Sequence, residues 1–152
     1  MVWFLASPIL LAAVAGPPPD SGVLLSLLST EGGINPGEEL LTVATDGSVY
    51  LRRWRLAGRE PLEEHWNVGA EGVARLLQAV DESPFAELPA QLNDATGSAA
   101  AFTLRLVVRR RGVERAVLAY RHGSPEIPRE FNELVKRLRD LLLSARPSSP
   151  SP

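Results

Sequence analysis

The sequence predicts an α+β domain, in which an antiparallel sheet of about five strands carries two helices on one face. Three observations lead to this fold class. Residues 40–56 and 102–120 alternate apolar and polar side chains around a glycine-containing turn, which is typical of β-hairpins. Residues 70–82 and 128–142 repeat apolar side chains at helical spacing. With one strand ahead of them, a two-layer sandwich covers every apolar stripe.

The first strand and the loop after it are marked by glycine. Val23 to Ser29 is a short apolar run between glycines, and its length favours a buried strand over a helix. Residues 32–37, with the sequence GGINPG, then predict a loop, because glycine and proline interrupt both strand and helix patterns.

The first hairpin turns at Thr45-Asp46-Gly47, and two registers are possible. A two-residue turn would divide the apolar residues between both faces of the sheet. A three-residue turn with a left-handed Gly47 pairs Val43 with Val49 and Leu41 with Leu51. We predict the second register, because it places the apolar side chains on one face.

The first helix is predicted over residues 70–82 and ends before Pro84, since the residue before a proline avoids helical geometry. Its apolar stripe consists of Val73, Leu76, Leu77 and Val80. Residues 85–89 follow as a packed connector, and residues 91–99 as a polar loop.

The second hairpin turns at Arg111-Gly112, and alternate residues of its first strand face opposite ways. Phe102, Leu104, Leu106 and Val108 lie on one side, and Thr103, Arg105 and Arg109 on the other. This alternation predicts a sheet with one covered and one solvated face.

Pro128 opens the last helix, where its missing N–H costs nothing. That helix has the apolar stripe Phe131, Leu134, Val135, Leu138, Leu141 and Leu142.

The amino-terminal residues resemble an export signal. Residues 1–15 are predicted as a signal peptide, because Val2 to Ala15 is uncharged and closes on Ala13-Val14-Ala15. The opening lacks Lys and Arg, so an uncleaved membrane anchor and a soluble leader remain alternatives. A run of about fourteen residues interrupted by Pro8 is shorter than the roughly twenty that a spanning helix needs.

The rest of the chain divides into three predicted parts. We predict a Pro-rich linker over residues 16–22, a single domain over residues 23–145 and a disordered Pro/Ser tail over residues 146–152.

The composition excludes several kinds of chemistry. The chain has no cysteine, which rules out disulfides, thiol catalysis and thiolate metal sites. Its formal net charge of −2 predicts no long-range attraction to nucleic acid. We therefore expect a partner other than DNA or RNA.

No group of residues predicts an enzyme, a metal or a cofactor. His65 lies in Glu63-Glu64-His65-Trp66, but a zinc helix needs a second histidine four residues later, where Gly69 stands. We interpret His65 as a solvated loop residue and His122 as part of a turn. No serine occupies a Gly-x-Ser-x-Gly elbow.

Arginines crowd both hairpins: Arg52, Arg53, Arg55 and Arg59 in the first, and Arg105, Arg109, Arg110, Arg111 and Arg115 in the second. Together with Tyr50 and Trp54, they could form a recognition face for an acidic protein, an anionic lipid or a nucleic acid. The alternative is a solubilising surface balanced by Glu60, Glu63 and Glu114. Trp54 beside Arg52 is the best interface candidate, because Trp and Arg contribute disproportionately to binding energy.

Three short motifs, taken together, resemble a known family. They are Gly32-Gly33-Ile34, the hairpin segment LTVATDGSV (residues 41–49) and SPFAELP (residues 83–89). Their order along the chain resembles that of the emfourin-like domain over about residues 23–143. This family includes proteinaceous inhibitors of thermolysin-type metalloproteases, so the resemblance implies inhibitory activity.

We therefore expect an exported, non-enzymatic protein-interaction domain in the periplasm, a lumen or the extracellular space, with no cofactor. The alternative is an extrinsic structural or assembly subunit of a membrane complex on the periplasmic or lumenal side, with contact to the membrane surface. The expected partner-binding residues are Gly32, Gly33, Ile34, Asn35, Tyr50, Arg52 and Trp54.

Overall fold

The computed structural model describes residues 22–55 and 60–147. The predicted signal peptide, most of the linker, the end of the Pro/Ser tail and Arg59 lie outside these residues. The strands are β1 (Val23–Glu31), β2 (Gly37–Ala44), β3 (Ser48–Arg55), β4 (Leu62–Asn67), β5 (Thr103–Arg110) and β6 (Val113–Tyr120), and the helices are α1 (Gly69–Asp81) and α2 (Arg129–Ser144). The strands form one antiparallel sheet in the order β4-β3-β2-β1-β5-β6.

This architecture confirms the predicted α+β class, with one strand more than expected. The additional strand is β4, so the prediction that His65 lies in a loop is wrong. β4 is an edge strand, and only Trp66 is buried in it. Trp66 pairs with Val49, and its indole N–H donates to the carbonyl oxygen of Leu142 in α2 at 3.2 Å.

Both hairpins turn where the sequence predicts. Val43 pairs with Val49 and Leu41 with Leu51, which is the three-residue register. Gly47 adopts the left-handed conformation that this turn requires, with a φ of 83°. In the second hairpin Arg111 and Gly112 both have positive φ, as a two-residue turn of the right twist demands.

The two helices cover the same face of the sheet, which we call the inner face. Alternate residues of the four central strands, among them Leu27, Leu41, Leu51 and Leu106, point to this face and are buried. They form one cluster with the apolar stripes of α1 and α2. The cluster includes Phe131, which follows Pro128 at the start of α2 and is fully buried.

The segment before β5 lies along the edge of β6. Leu92 donates its backbone N–H to the Leu118 carbonyl at 2.9 Å, and the Leu118 N–H donates to the carbonyl of Ala90 at 2.8 Å. Asn93 is buried, and its amide bonds both backbone groups of Tyr120. The polar composition of this loop does not reveal that it caps a sheet edge.

Candidate functional site

The face of the sheet opposite the helices, called the outer face below, carries the predicted partner-binding side chains of β3. Tyr50, Arg52 and Trp54 alternate with inner-face residues and therefore lie side by side on the outer face. In the part of the chain that the structure describes, no helix covers them. The structure thus brings together the three strand residues that the sequence selected.

One row of the outer face combines apolar and basic side chains across four strands. Arg52 pairs with Leu40, Leu40 with Leu28, and Leu28 with Arg105. The two leucines are half-buried. Two arginines therefore flank an apolar centre, and at 4.7–4.9 Å per strand their Cα atoms are about 14 Å apart.

The charges of this row are only partly compensated. Arg52 Nε lies 3.9 Å from Glu63 Oε1, which is too long for a hydrogen bond, and Nε is buried without a hydrogen-bond partner. Arg105 has no acidic partner within the described ranges. In the described structure, Arg105 therefore offers an unpaired charge, and Arg52 a weakly paired one, that a partner can use.

Tyr50 is held in place by two neighbours on β4. Its hydroxyl donates to Glu63 Oε1 at 3.0 Å, and its ring lies 4.8 Å from that of His65, centre to centre. Burial, followed by the hydrogen bond to Glu63, raises the pKa of Tyr50 above its ordinary value. The raised pKa favours the neutral form of Tyr50. Its ring, held by Glu63 and His65, offers a contact surface of low conformational entropy.

The arginine clusters do not gather on one face, which excludes the hypothesis that both clusters together form one recognition face. The alternation of a strand sends neighbouring arginines to opposite sides of the sheet. Arg53 bonds Glu39 under α2, and Arg110 bonds Asp81 and the Leu77 carbonyl in α1. Arg115 donates to backbone carbonyls of the connector after α1. Strict period-two reading of the sequence would have separated these arginines from Arg52 and Arg105.

The predicted loop joins β1 to β2 at one end of the sheet. Ile34 is completely exposed at its tip. Gly32 packs against Ala101 and Phe102 so closely that any side chain there would displace them. At the other end of the loop, Gly37 abuts the backbone carbonyl of Trp54. The loop and Trp54 therefore belong to the same end of the molecule.

The two histidines lie in separate parts of the fold. His65 is an outer-face residue of β4, and His122 lies in the turn after β6, where its ring meets Phe102 edge-on at 4.5 Å. Across residues 22–55 and 60–147 there is no group of three or more His, Asp or Glu side chains that could hold a metal ion.

Sequence reasoning missed a cleft of about 480 Å³ between α2 and the inner face. Its apolar wall includes Leu27, Leu104 and Val135, and Arg121 and Lys136 contribute cations. We call it the α2 cleft. Its lining comes from β1, the segment after β6 and α2, which are far apart in the chain, so no local pattern reveals it.

No protein-family model matches the chain, and no curated protein matches it. Within the described part of the chain, no helix is both long enough and apolar enough to cross a membrane. The outer face, the β1–β2 loop and the α2 cleft are three surfaces of the described structure at which a partner or ligand could bind.

Proposed function

We propose that this chain is an exported, non-enzymatic protein-interaction domain. It contacts its partner through the outer face at Tyr50, Arg52 and Trp54, together with the β1–β2 loop of Gly32, Gly33, Ile34 and Asn35. The observation that carries the proposal is the row of two half-buried leucines between two incompletely paired arginines, on a sheet face that no described element covers.

The composition of this surface suits protein recognition. Trp, Tyr and Arg are the side chains most often found at energetic centres of interfaces. Leu28 and Leu40 offer apolar area that a partner can remove from water. Arg52 and Arg105 favour a partner that places carboxylates on both sides of an apolar contact, because opposite charges steer association and fix orientation.

The specific activity that we propose is inhibition of a thermolysin-type metalloprotease. The resemblance to the emfourin-like domain points to it, and the loop geometry supports it. Ile34 projects fully into solvent from a short loop whose ends continue into β1 and β2. A protruding apolar side chain on an anchored loop can enter an active-site cleft at little entropic cost.

An inhibition assay with the mature protein and a thermolysin-type protease tests this activity. We expect inhibition at micromolar concentration or below, and we expect Ile34→Asp to weaken it at least about ten-fold, since the loss of a buried anchor costs roughly 2 kcal/mol. Val113→Asp is the matched control, because Val113 is also an exposed apolar residue beside a hairpin turn. Unchanged protease activity at micromolar protein would reject the inhibitor proposal.

Affinity capture from the exported fraction tests the wider proposal of an interaction domain. We expect a defined protein partner whose affinity falls when Arg52→Ala and Trp54→Ala are combined. Stoichiometric capture of a membrane complex would instead favour the extrinsic-subunit function. Partner affinities that survive the double substitution would reject the outer face as the contact surface.

Export is tested separately by mass spectrometry of the native protein. We expect a mature amino terminus near Gly16, after removal of residues 1–15. Recovery of intact Met1 in the exported protein would contradict cleavage.

A further inference from the structure

The geometry of the α2 cleft points to a second binding site, which is independent of the outer face. We propose that the α2 cleft binds a carboxylate that is carried on an apolar body. The ligand class follows from the apolar wall of the cleft and from two cations. Lys136 has no acidic partner among the described residues, and the acidic partner of Arg121, Glu31, is 3.8 Å away.

The apolar part of the site lies on the inner face, at the margin of the core. Leu27 and Leu104 are buried side chains of the neighbouring strands β1 and β5, and Val135 faces them from α2. The cleft volume of about 480 Å³ falls within the range of roughly 300–1,000 Å³ that is usual for small-molecule sites. A leucine-sized or somewhat larger apolar group therefore fits against this wall.

Arg121 is held in position for an anion. Its backbone N–H donates to the carbonyl oxygen of Phe102 at 2.8 Å, and its Nη2 donates to Ser29 Oγ at 2.5 Å. Ser29 is buried, so this anchor is shielded from water. The nearest carboxylate oxygen, on Glu31, is 3.8 Å from Nη1, beyond hydrogen-bond distance. Most of the five N–H donors of the guanidinium thus remain available.

Lys136 supplies the second charge. It is exposed on α2, and among the residues that the structure describes it has no acidic partner. Lys136 precedes Arg139 by one helical turn, and both residues line the cleft together with Val135. A carboxylate between Lys136 and Arg121 can place its apolar body against Val135.

The acids of the cleft explain why the ligand is a carboxylate rather than a polyanion. Glu39 is already committed, because it accepts from Arg53 at 2.8 Å and from Arg139 at 2.9 Å. Glu126 is the other acid in the lining and has no cationic partner within the described ranges. Arg121 and Lys136 are the two cations of the lining that Glu39 does not neutralise, and Glu126 is the one acid that is not committed to Arg53 or Arg139. This balance leaves room for one further negative charge, which a single carboxylate supplies.

A matched pair of ligands isolates the charge. N-acetyl-leucine and N-acetyl-leucinamide have the same apolar body, but only the first carries a carboxylate. In an NMR titration of the mature protein, we expect N-acetyl-leucine to shift the amides of Val135, Lys136 and Arg121 and to bind at least about ten-fold more tightly than the amide, as is usual for a charged hydrogen bond. Equal binding of the two compounds would overturn the proposal.

Two substitutions locate the site, and a third is the control. Lys136→Gln keeps an exposed polar side chain and is expected to weaken N-acetyl-leucine several-fold without affecting folding. Arg121→Gln is expected to weaken it at least about ten-fold, with circular dichroism confirming that the fold survives the loss of the Ser29 contact. Arg109→Gln on β5 is the control and leaves affinity unchanged. Unaltered binding in Lys136→Gln and Arg121→Gln together would overturn the assignment.

Two further ligands distinguish the sources of such a carboxylate. A tetrapeptide ending in leucine that binds more tightly than N-acetyl-leucine assigns the site to polypeptide carboxyl termini. Octanoate that binds more tightly than either assigns it to free amphiphilic acids. Failure of all three acids to bind would overturn the proposal and would leave the outer-face interaction untouched.

Discussion

Arginines on the two faces of the sheet have different roles. On the inner face, Arg53 and Arg110 are tied to carboxylates that belong to the fold. On the outer face, Arg105 forms no ion pair in the described part of the chain, and Arg52 Nε lies 3.9 Å from its nearest paired acid, Glu63. The inner arginines hold helices on the sheet, whereas the outer ones are available to a partner. The position of an arginine within the strand alternation decides which role it takes.

The largest expected difference between the faces comes from a buried charge. Leu106 is fully buried on the inner face, and its neighbour Val107 is half-buried on the outer face. We expect Leu106→Asp to prevent folding, because an unpaired buried carboxylate costs several kcal/mol out of a total of about 5–15. Val107→Asp should cost about 1 kcal/mol. Urea denaturation compares the two, and equal losses would contradict the distinction between the faces.

The two tryptophans of the sheet give the next largest contrast. Trp66 is buried against α2, and its indole bonds the Leu142 carbonyl, whereas Trp54 lies on the outer face. Trp66→Ala is expected to lower the free energy of unfolding by about 3–5 kcal/mol. Trp54→Ala should lower it by less than about 1 kcal/mol while weakening partner binding. Thermal and urea unfolding of both variants measure this difference.

Glu39 on the inner face and Glu63 on the outer face give a third comparison, with a smaller expected difference in stability. Glu39 has a side chain that is 15% exposed and bridges Arg53 and Arg139, while the Glu63 side chain is 49% exposed. Glu39→Gln is expected to cost about 1–3 kcal/mol, because it leaves two arginines without their shared charge. Glu63→Gln should change stability by no more than about 0.5 kcal/mol. A double-mutant cycle of Glu39 with Arg139 checks that the loss comes from this contact.

The smallest expected effect is on the pH dependence of stability. A hydrogen bond from Arg110 lowers the pKa of Asp81 below its ordinary value of 3.8. Because the folded-state pKa is the lower one, the stabilisation is present above about pH 4 and is lost as the pH falls through the folded value. Asp81→Asn should flatten this acid-side slope. Asp140→Asn is the matched control, since no arginine contacts Asp140 in the described structure. An unchanged slope for Asp81→Asn would contradict the linkage.

The sequence predicts those elements whose information is local. The hairpin register follows from Val43, Leu41 and the tolerance of Gly47 for positive φ, and α2 follows from helical spacing after Pro128. The sequence does not predict β4, because an edge strand buries few side chains and the single buried residue, Trp66, does not produce an alternating apolar pattern. Its stabilising contact is with Leu142, which no local window contains.

Some candidate binding residues can likewise be predicted from local sequence, and others cannot. Tyr50, Arg52 and Trp54 are placed on one face by simple alternation, so the sequence finds them together. The arginine clusters suggest a single charged face that does not exist, because the number of arginines along the chain does not show on which face of the sheet each one lies. The α2 cleft is invisible to the sequence, since Ser29 and Arg121 meet only when β1 lies beside β5 and the chain returns from β6.

The central place of β1 has a consequence for how the chain reaches its native state. Of the described strands, β1 is synthesised before its two neighbours: β2 follows it directly on one side, but its other neighbour, β5, follows only after α1. Until then the run VLLSLLS presents an open edge of the kind that recruits foreign strands. A chain truncated after α1 should therefore aggregate.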